Sequence, residues 1–154
     1  MADELRILHE RLPMVAQMYP HLPKRLERVL EACENLAAAT PEPQLRGIHR
    51  DFYPDQILVD GNRLYLLDLD LYCEGDPGLD IGNFIGHITE QSLRTLGSPD
   101  ALADREVALE ERFVELSGEA TPAAVHSYTT LTLVRHIYIS TQFAERRPFT
   151  ETLL

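Results

Sequence analysis

The stretch His49-Arg50-Asp51-Phe52-Tyr53-Pro54-Asp55-Gln56 holds a histidine, two carboxylates and an amide in eight residues, and Asp68 and Asp70 follow shortly after it. Carboxylates forced close together repel unless a cation lies between them. Oxygen donors from Asp and Gln suit a hard ion such as Mg²⁺, not zinc. A carboxylate left outside the metal shell can accept a proton from a hydroxyl. Two short β-prone runs, 57–59 and 64–67, flank Asp60-Gly61-Asn62, whose Gly and Asn accept the positive φ that a hairpin turn requires. An antiparallel pair brings its outer ends together, so this hairpin is expected to gather Asp51, Gln56, Asp68 and Asp70.

The elements around the hairpin read as helices. From residue 22 to 39, Leu26, Val29, Leu30, Cys33, Leu36 and Ala37 recur at helical spacing. Residues 4–18 share that spacing, with Pro13 expected to end or kink the helix, and the two helices should join near Tyr19-Pro20. ATPEPQ (39–44) is a helix stop and a loop. Asp80 reads as the N-cap of a helix to about residue 96, with Ile81, Phe84, Ile85, Ile88 and Leu93 inward. Ser98-Pro99 opens another helix, stopped by Gly118. Thr121-Pro122 starts a last one to about residue 147, with Val125, Tyr128, Leu131 or Thr132, and Val134 on its buried face. The expectation is an α+β fold, mainly helical, in one domain over 1–154, with a small hairpin set into it.

Bulk properties narrow the partners. A formal charge of −11 leaves no basic stripe for nucleic acid, and at long range it favours cationic small molecules where it does more than confer solubility. No apolar run approaches the roughly 18 residues of a membrane span, and the N-terminus is not a secretory signal. Cys33 and Cys73 form neither a metal spacing nor a disulfide framework, which fits a reducing cytoplasm. Glu74 and Asp76 make Cys73 an unlikely reactive thiol.

HRDFYPDQ, LVDGNRLYLLDLD and EGDPGLDIGNF occur in that order. Together they resemble the blocks H-G-D-x-x-P-x-N, I-D-W/L-E/D and G-D-P-x-x-D-[ILV]-[GA] of the aminoglycoside phosphotransferase and choline kinase family, which has a protein-kinase-like fold. The likeness is close over residues 46–86 and general elsewhere.

The resemblance implies transfer of the γ-phosphoryl of ATP or GTP, with Mg²⁺, to a hydroxyl of a small acceptor, cationic in the aminoglycoside-like and choline-like cases. It makes Asp51 the catalytic base or the group that orients the acceptor hydroxyl. Asp68 becomes the carboxylate that links Mg²⁺ to the phosphates, and Gln56 stands where the family has a metal-binding Asn. His49 braces the loop, and it joins Asp55 and Asp70 as residues on the cofactor side. Asp70 either reaches the second metal shell or faces solvent. Asp80 is the helix-start aspartate that ties the loop down.

Two departures from the family's pattern matter. Gln56 carries one more methylene than Asn, which moves the ligand by about 1.5 Å unless the backbone compensates. No glycine precedes Gly47, and Lys24, the sole lysine, lies in a helical pattern. The chain therefore resembles the C-terminal lobe alone, with the N-terminal β-lobe absent and required in cis or in trans. The helices before His49 would then follow the family's hinge. The alternatives are a catalytically degenerate binding or regulatory module, and an interaction domain that self-associates through its exposed lobe face. Phe52 and Tyr53 are expected to pack rather than line a pocket. His87, His126 and His136 read as bonded or surface residues of helices. Glu106, Glu110, Glu111 and Glu115 form a solvated helix face or an attractor for an amine.

Overall fold

The computed structural model describes residues 1–118 and 121–154. Five helices dominate: α1 (Ala2–Met18), α2 (Pro23–Ala39), α3 (Pro77–Leu96), α4 (Ala103–Ser117) and α5 (Pro122–Gln142). Between α2 and α3 lie four short strands, β1 (Arg46–Ile48), β2 (Ile57–Asp60), β3 (Arg63–Leu66) and β4 (Cys73–Gly75). The mainly helical α+β expectation holds. Among the described residues no strand precedes Arg46, and no helix is long and apolar enough to cross a membrane.

Helix α1 continues through Pro13 to Met18, so Pro13 does not end it. Pro13 lies on the solvent side, so only one backbone bond is lost there. Leu8, Leu12 and Val15, all but fully buried on the other side, hold the helix together across it. α2 starts at Pro23 and buries Leu26 and Cys33, with Val29 and Leu30 partly covered.

The start of α3 also differs from the sequence reading. Its N-cap is Asp76, whose Oδ1 accepts the Gly78 N–H at 2.8 Å, and Pro77 supplies a first helical φ. Asp80 is thereby released from capping and stands inside the first turn. The other helix signals hold: Ser98-Pro99 opens a 3₁₀ turn into α4, Gly118 closes α4 in a left-handed conformation, and the Thr121 hydroxyl caps α5.

α5 is the central helix, packed by α1, α2, α3 and α4 and buried on most of its circumference. Its closest neighbour is α3, which meets it through Gly82 and Gly86. A Cβ at Gly82 would lie 2.5 Å from the Tyr128 Cβ and 2.8 Å from two backbone atoms of α5. Alanine is the better helix former by about 1 kcal/mol, but here the backbone it meets cannot step aside. Gly82→Ala is expected to lower stability by about 1–3 kcal/mol, read as a lower melting temperature or urea midpoint.

The hairpin forms as read. β2 and β3 pair in register from Ile57↔Leu66 to Asp60↔Arg63, leaving Gly61-Asn62 as the two-residue turn with Gly61 at φ 59°. Both of its faces meet solvent: Leu58, Val59 and Leu64 are 54%, 64% and 73% exposed. A second pair was not legible in the sequence: β1 and β4 join antiparallel, Ile48 opposite Cys73. It closes the chain around the hairpin and sets His49 at the mouth of the loop.

Candidate active site

The loop after β1 is held from below by α3. Both oxygens of Asp80 are engaged: the His49 N–H donates to Oδ2 at 2.7 Å and the Arg50 N–H to Oδ1 at 2.8 Å. Burial pushes the Asp80 carboxyl up from its ordinary value, and these two N–H groups pull it back. The clamp fixes an unusual backbone, because Arg50 has φ 73°, a left-handed conformation that costs a non-glycine residue about 1–2 kcal/mol. The role expected for Asp80 as the tie of this loop matches the geometry.

His49 is buried, and its Nε2–H donates to the Leu67 carbonyl at 2.7 Å, tying the loop to the end of β3. From the other side, the Leu67 N–H donates to the Gln56 carbonyl at 2.9 Å. Asn83, 1% exposed, donates from Nδ2 to the Phe52 carbonyl at 2.8 Å. The Asn83 Oδ1 accepts from Arg135 Nη2 at 2.5 Å, and Arg135 reaches Glu4 at 3.3 Å. Sequence reading missed this chain from α1 through α5 to the loop; single polar residues at helical spacing carry no signal of their partners. Phe52 packs between His49 and Phe84, with ring centroids 5.8 and 5.0 Å away, as expected.

The acids then fall as follows. Asp51 is half-buried and accepts no hydrogen bond from the described residues, while Asp55, Asp68 and Asp70 are exposed. Gln56 is buried in the turn Pro54–Gln56. Asp68 adopts a left-handed conformation, φ 53°, which turns the chain out of β3 into the next 3₁₀ turn. Burial raises the Tyr53 hydroxyl above its ordinary value, and the carboxylates of Asp51, Asp55 and Asp68 raise it further. Tyr53 thus stands within the fields of acids from both sides of the hairpin.

Tyr53 faces two ways. Its ring stacks on His87 at 4.7 Å and 21°, and His87 meets His136 edge-on at 4.6 Å. A cleft of about 250 Å³ opens beside it, walled by Asp55, His87, Glu90, Arg94 and Arg146 among others. A larger cleft, about 540 Å³, lies between the 40–45 loop and Tyr128, away from the acids. Asp80, Asn83, His87, Glu90 and Arg94 follow one another on α3 in alternating steps of three and four, so one stripe of that helix clamps the loop and then walls the cleft.

Burial, with the Arg135 and Arg146 cations nearby, holds His87 down to about 4; burial, His87 and the arginines hold His136 down to about 3. Both values lie below the ordinary histidine value of about 6.5, so the unfolded chain takes up protons that the folded rings refuse. Stability is therefore full above about pH 6.5 and falls as pH drops from there toward 4, by up to about 1.4 kcal/mol per pH unit for each ring. Urea unfolding at pH 7 and pH 5 measures the loss, and His87→Gln is expected to shrink it.

This arrangement, an acid-bearing hairpin braced by a helix-start aspartate in a mainly helical domain, is the class of site that the blocks around residues 46–86 resemble. The family model of the phosphotransferase enzyme family matches residues 1–119, which include α1 and α2 as well as the hairpin. The chain belongs to that family. No curated protein and no solved structure matches it.

Proposed function

We propose that the chain is the acceptor-binding and catalytic lobe of a small-molecule kinase, moving the γ-phosphoryl of ATP or GTP to an alcohol. What supports this reading is that a chain of the phosphotransferase family carries Asp51 and Asp68 on the two flanks of its hairpin, with the charges of both raising the Tyr53 hydroxyl. Asp51 orients the acceptor hydroxyl and takes its proton as the hydroxyl oxygen bonds to the γ-phosphorus. The bond from that phosphorus to the bridging oxygen breaks, and the nucleoside diphosphate leaves.

Mg²⁺ fits the donor set. Among the described residues no three His, Cys, Asp or Glu side chains form a ligand cage. Mg²⁺ commonly needs only one or two carboxylates, with waters and phosphate oxygens completing its shell. Asp68 and the amide of Gln56 would hold it, with Asp70 behind. When bound, the ion neutralises charge on the phosphates. His49, Asp80 and Asn83 keep the loop in place, whereas Asp55, read from the sequence as a cofactor-side residue, lines the cleft beside Tyr53.

The nucleotide-covering lobe belongs to this reading as a partner, in cis or in trans. Its seat is the hairpin and the turn after it, where Leu64, Leu69, Leu71 and Tyr72 expose apolar surface beside the acids. Patches of this kind mark interaction sites. A titration of the chain with Mg-ATP, alone and with such a lobe supplied, tests the proposal; binding in neither arm refutes it. A second reading, a degenerate binding module, draws on Gln56, which is longer than the family's Asn and is buried in its turn. In that case Asp51→Ala would function in cells like the wild type.

A further inference from the structure

We infer that the cleft beside Tyr53 takes an acidic acceptor: a small hydroxy acid whose carboxylate is held by Arg146 and Arg94 while its hydroxyl lies at the Tyr53 end. The role of the hydroxyl rests on the phosphotransferase reading; the recognition of the acid does not.

The charge arrangement favours an anion despite a chain charge of −11. Arg146 lies over the Phe143 ring, 5.1 Å from its centroid, and no carboxylate among the described residues comes within 4 Å of its guanidinium. Arg94 engages Glu90 through Nε alone, at 3.2 Å, so its two terminal nitrogens remain for a ligand. That same contact occupies Glu90, the buried acid of the wall. The remaining acid, Asp55, is exposed at the edge. The lining holds two guanidiniums and two carboxylates; with Arg94 and Glu90 paired, Arg146 and the terminal nitrogens of Arg94 are the donors left for a ligand, and Asp55 lies exposed at the edge.

The histidines add no compensating charge. His87 and His136 stay neutral over the working pH range, held so by burial and by cations that include Arg146. His136 packs against His87 behind the cleft wall, is 1% exposed, and has no hydrogen-bond partner at Nε2 among the described residues. A guanidinium presents paired N–H donors that match the two oxygens of a carboxylate, a geometry that a lone ammonium lacks. The volume of about 250 Å³ sits just below the roughly 300–1,000 Å³ of common ligand clefts, which sizes the occupant as small. Tyr53 lines this cleft and also feels the charges of Asp51, Asp55 and Asp68, so the Tyr53 end of the cleft is the end beside the reacting loop.

The test uses three probes on the full chain without nucleotide: D-glycerate, glycerol and choline. Binding is followed by calorimetry and by the imidazole NMR signals of His87. Glycerate is expected to saturate and to shift His87, with glycerol and choline at least tenfold weaker. Arg146→Gln should weaken glycerate at least tenfold with an unchanged melting temperature, and Arg146→Lys should recover part of the loss. Choline binding as tightly as glycerate, glycerate failing to saturate, or a folded Arg146→Gln binding glycerate like the wild type would each overturn the inference. If glycerate binds through Arg146 but Mg-ATP binds neither the chain nor its complex, the phosphotransferase reading fails and the acid-binding cleft stands.

Discussion

Asp51→Asn is expected to reduce phosphoryl transfer by about 10²–10⁴-fold in an assay with Mg-ATP and a saturating acceptor, the range that general-base groups supply. The amide keeps the shape of the carboxylate but cannot take a proton from the acceptor hydroxyl. Because Asp51 accepts no hydrogen bond from the described residues, the change should leave the melting temperature near that of the wild type. Nucleotide affinity should also hold, since Asp68 and Gln56 are the groups assigned to the ion. A rate within threefold of the wild type would remove Asp51 from the chemistry.

The largest effect on stability is expected at Asp80. Asp80→Ala strands the His49 and Arg50 N–H groups, which donate at 2.7 and 2.8 Å, and it frees a residue held at φ 73°. Each unsatisfied donor costs about 1–3 kcal/mol, so a loss of about 2–4 kcal/mol should appear in urea unfolding. Restoring glycine where the backbone is left-handed should offset part of it. Arg50→Gly in the Asp80→Ala background is therefore expected to recover about 1 kcal/mol. It gives up only the exposed Arg50–Asp3 contact at 3.4 Å, a pair of the kind worth little. If Asp80→Ala unfolds at the wild-type urea concentration, the clamp is not what fixes the loop.

The parts of this molecule that were legible in its sequence are those with local causes. Asp60-Gly61-Asn62 supplies residues that accept positive φ, so the hairpin followed from it. Ser98-Pro99, Gly118 and Thr121-Pro122 mark helix ends by their own backbone preferences. The tie between Asp80 and the loop was legible only through the spacing of three family blocks. What escaped depends on tertiary contact. The strands Arg46–Ile48 and Cys73–Gly75 are too short to alternate, and they pair only because the hairpin brings them together. Pro13 looked like a break because its exposure cannot be read without knowing which side of α1 faces α5. The chain from Glu4 through Arg135 and Asn83 to Phe52 spans 131 positions of sequence separation at one of its links, beyond any local pattern. Within the site, the hairpin's acids were visible as letters, whereas the arginine-walled cleft was not, because its sides come from the loop, α3 and the segment that follows α5.

The stripe on α3 makes that helix a ruler for both halves of the site. From Asp80 to Arg94 it rises 14 residue steps, about 21 Å at 1.5 Å per step. A single alanine inserted between Asn83 and His87 would turn everything beyond it by about 100°. The loop would stay clamped while His87, Glu90 and Arg94 swung away from Tyr53. Such an insertion would separate the clamped loop from the arginine-walled cleft, which makes the helix's phase, rather than any one side chain on it, the quantity that keeps the two aligned.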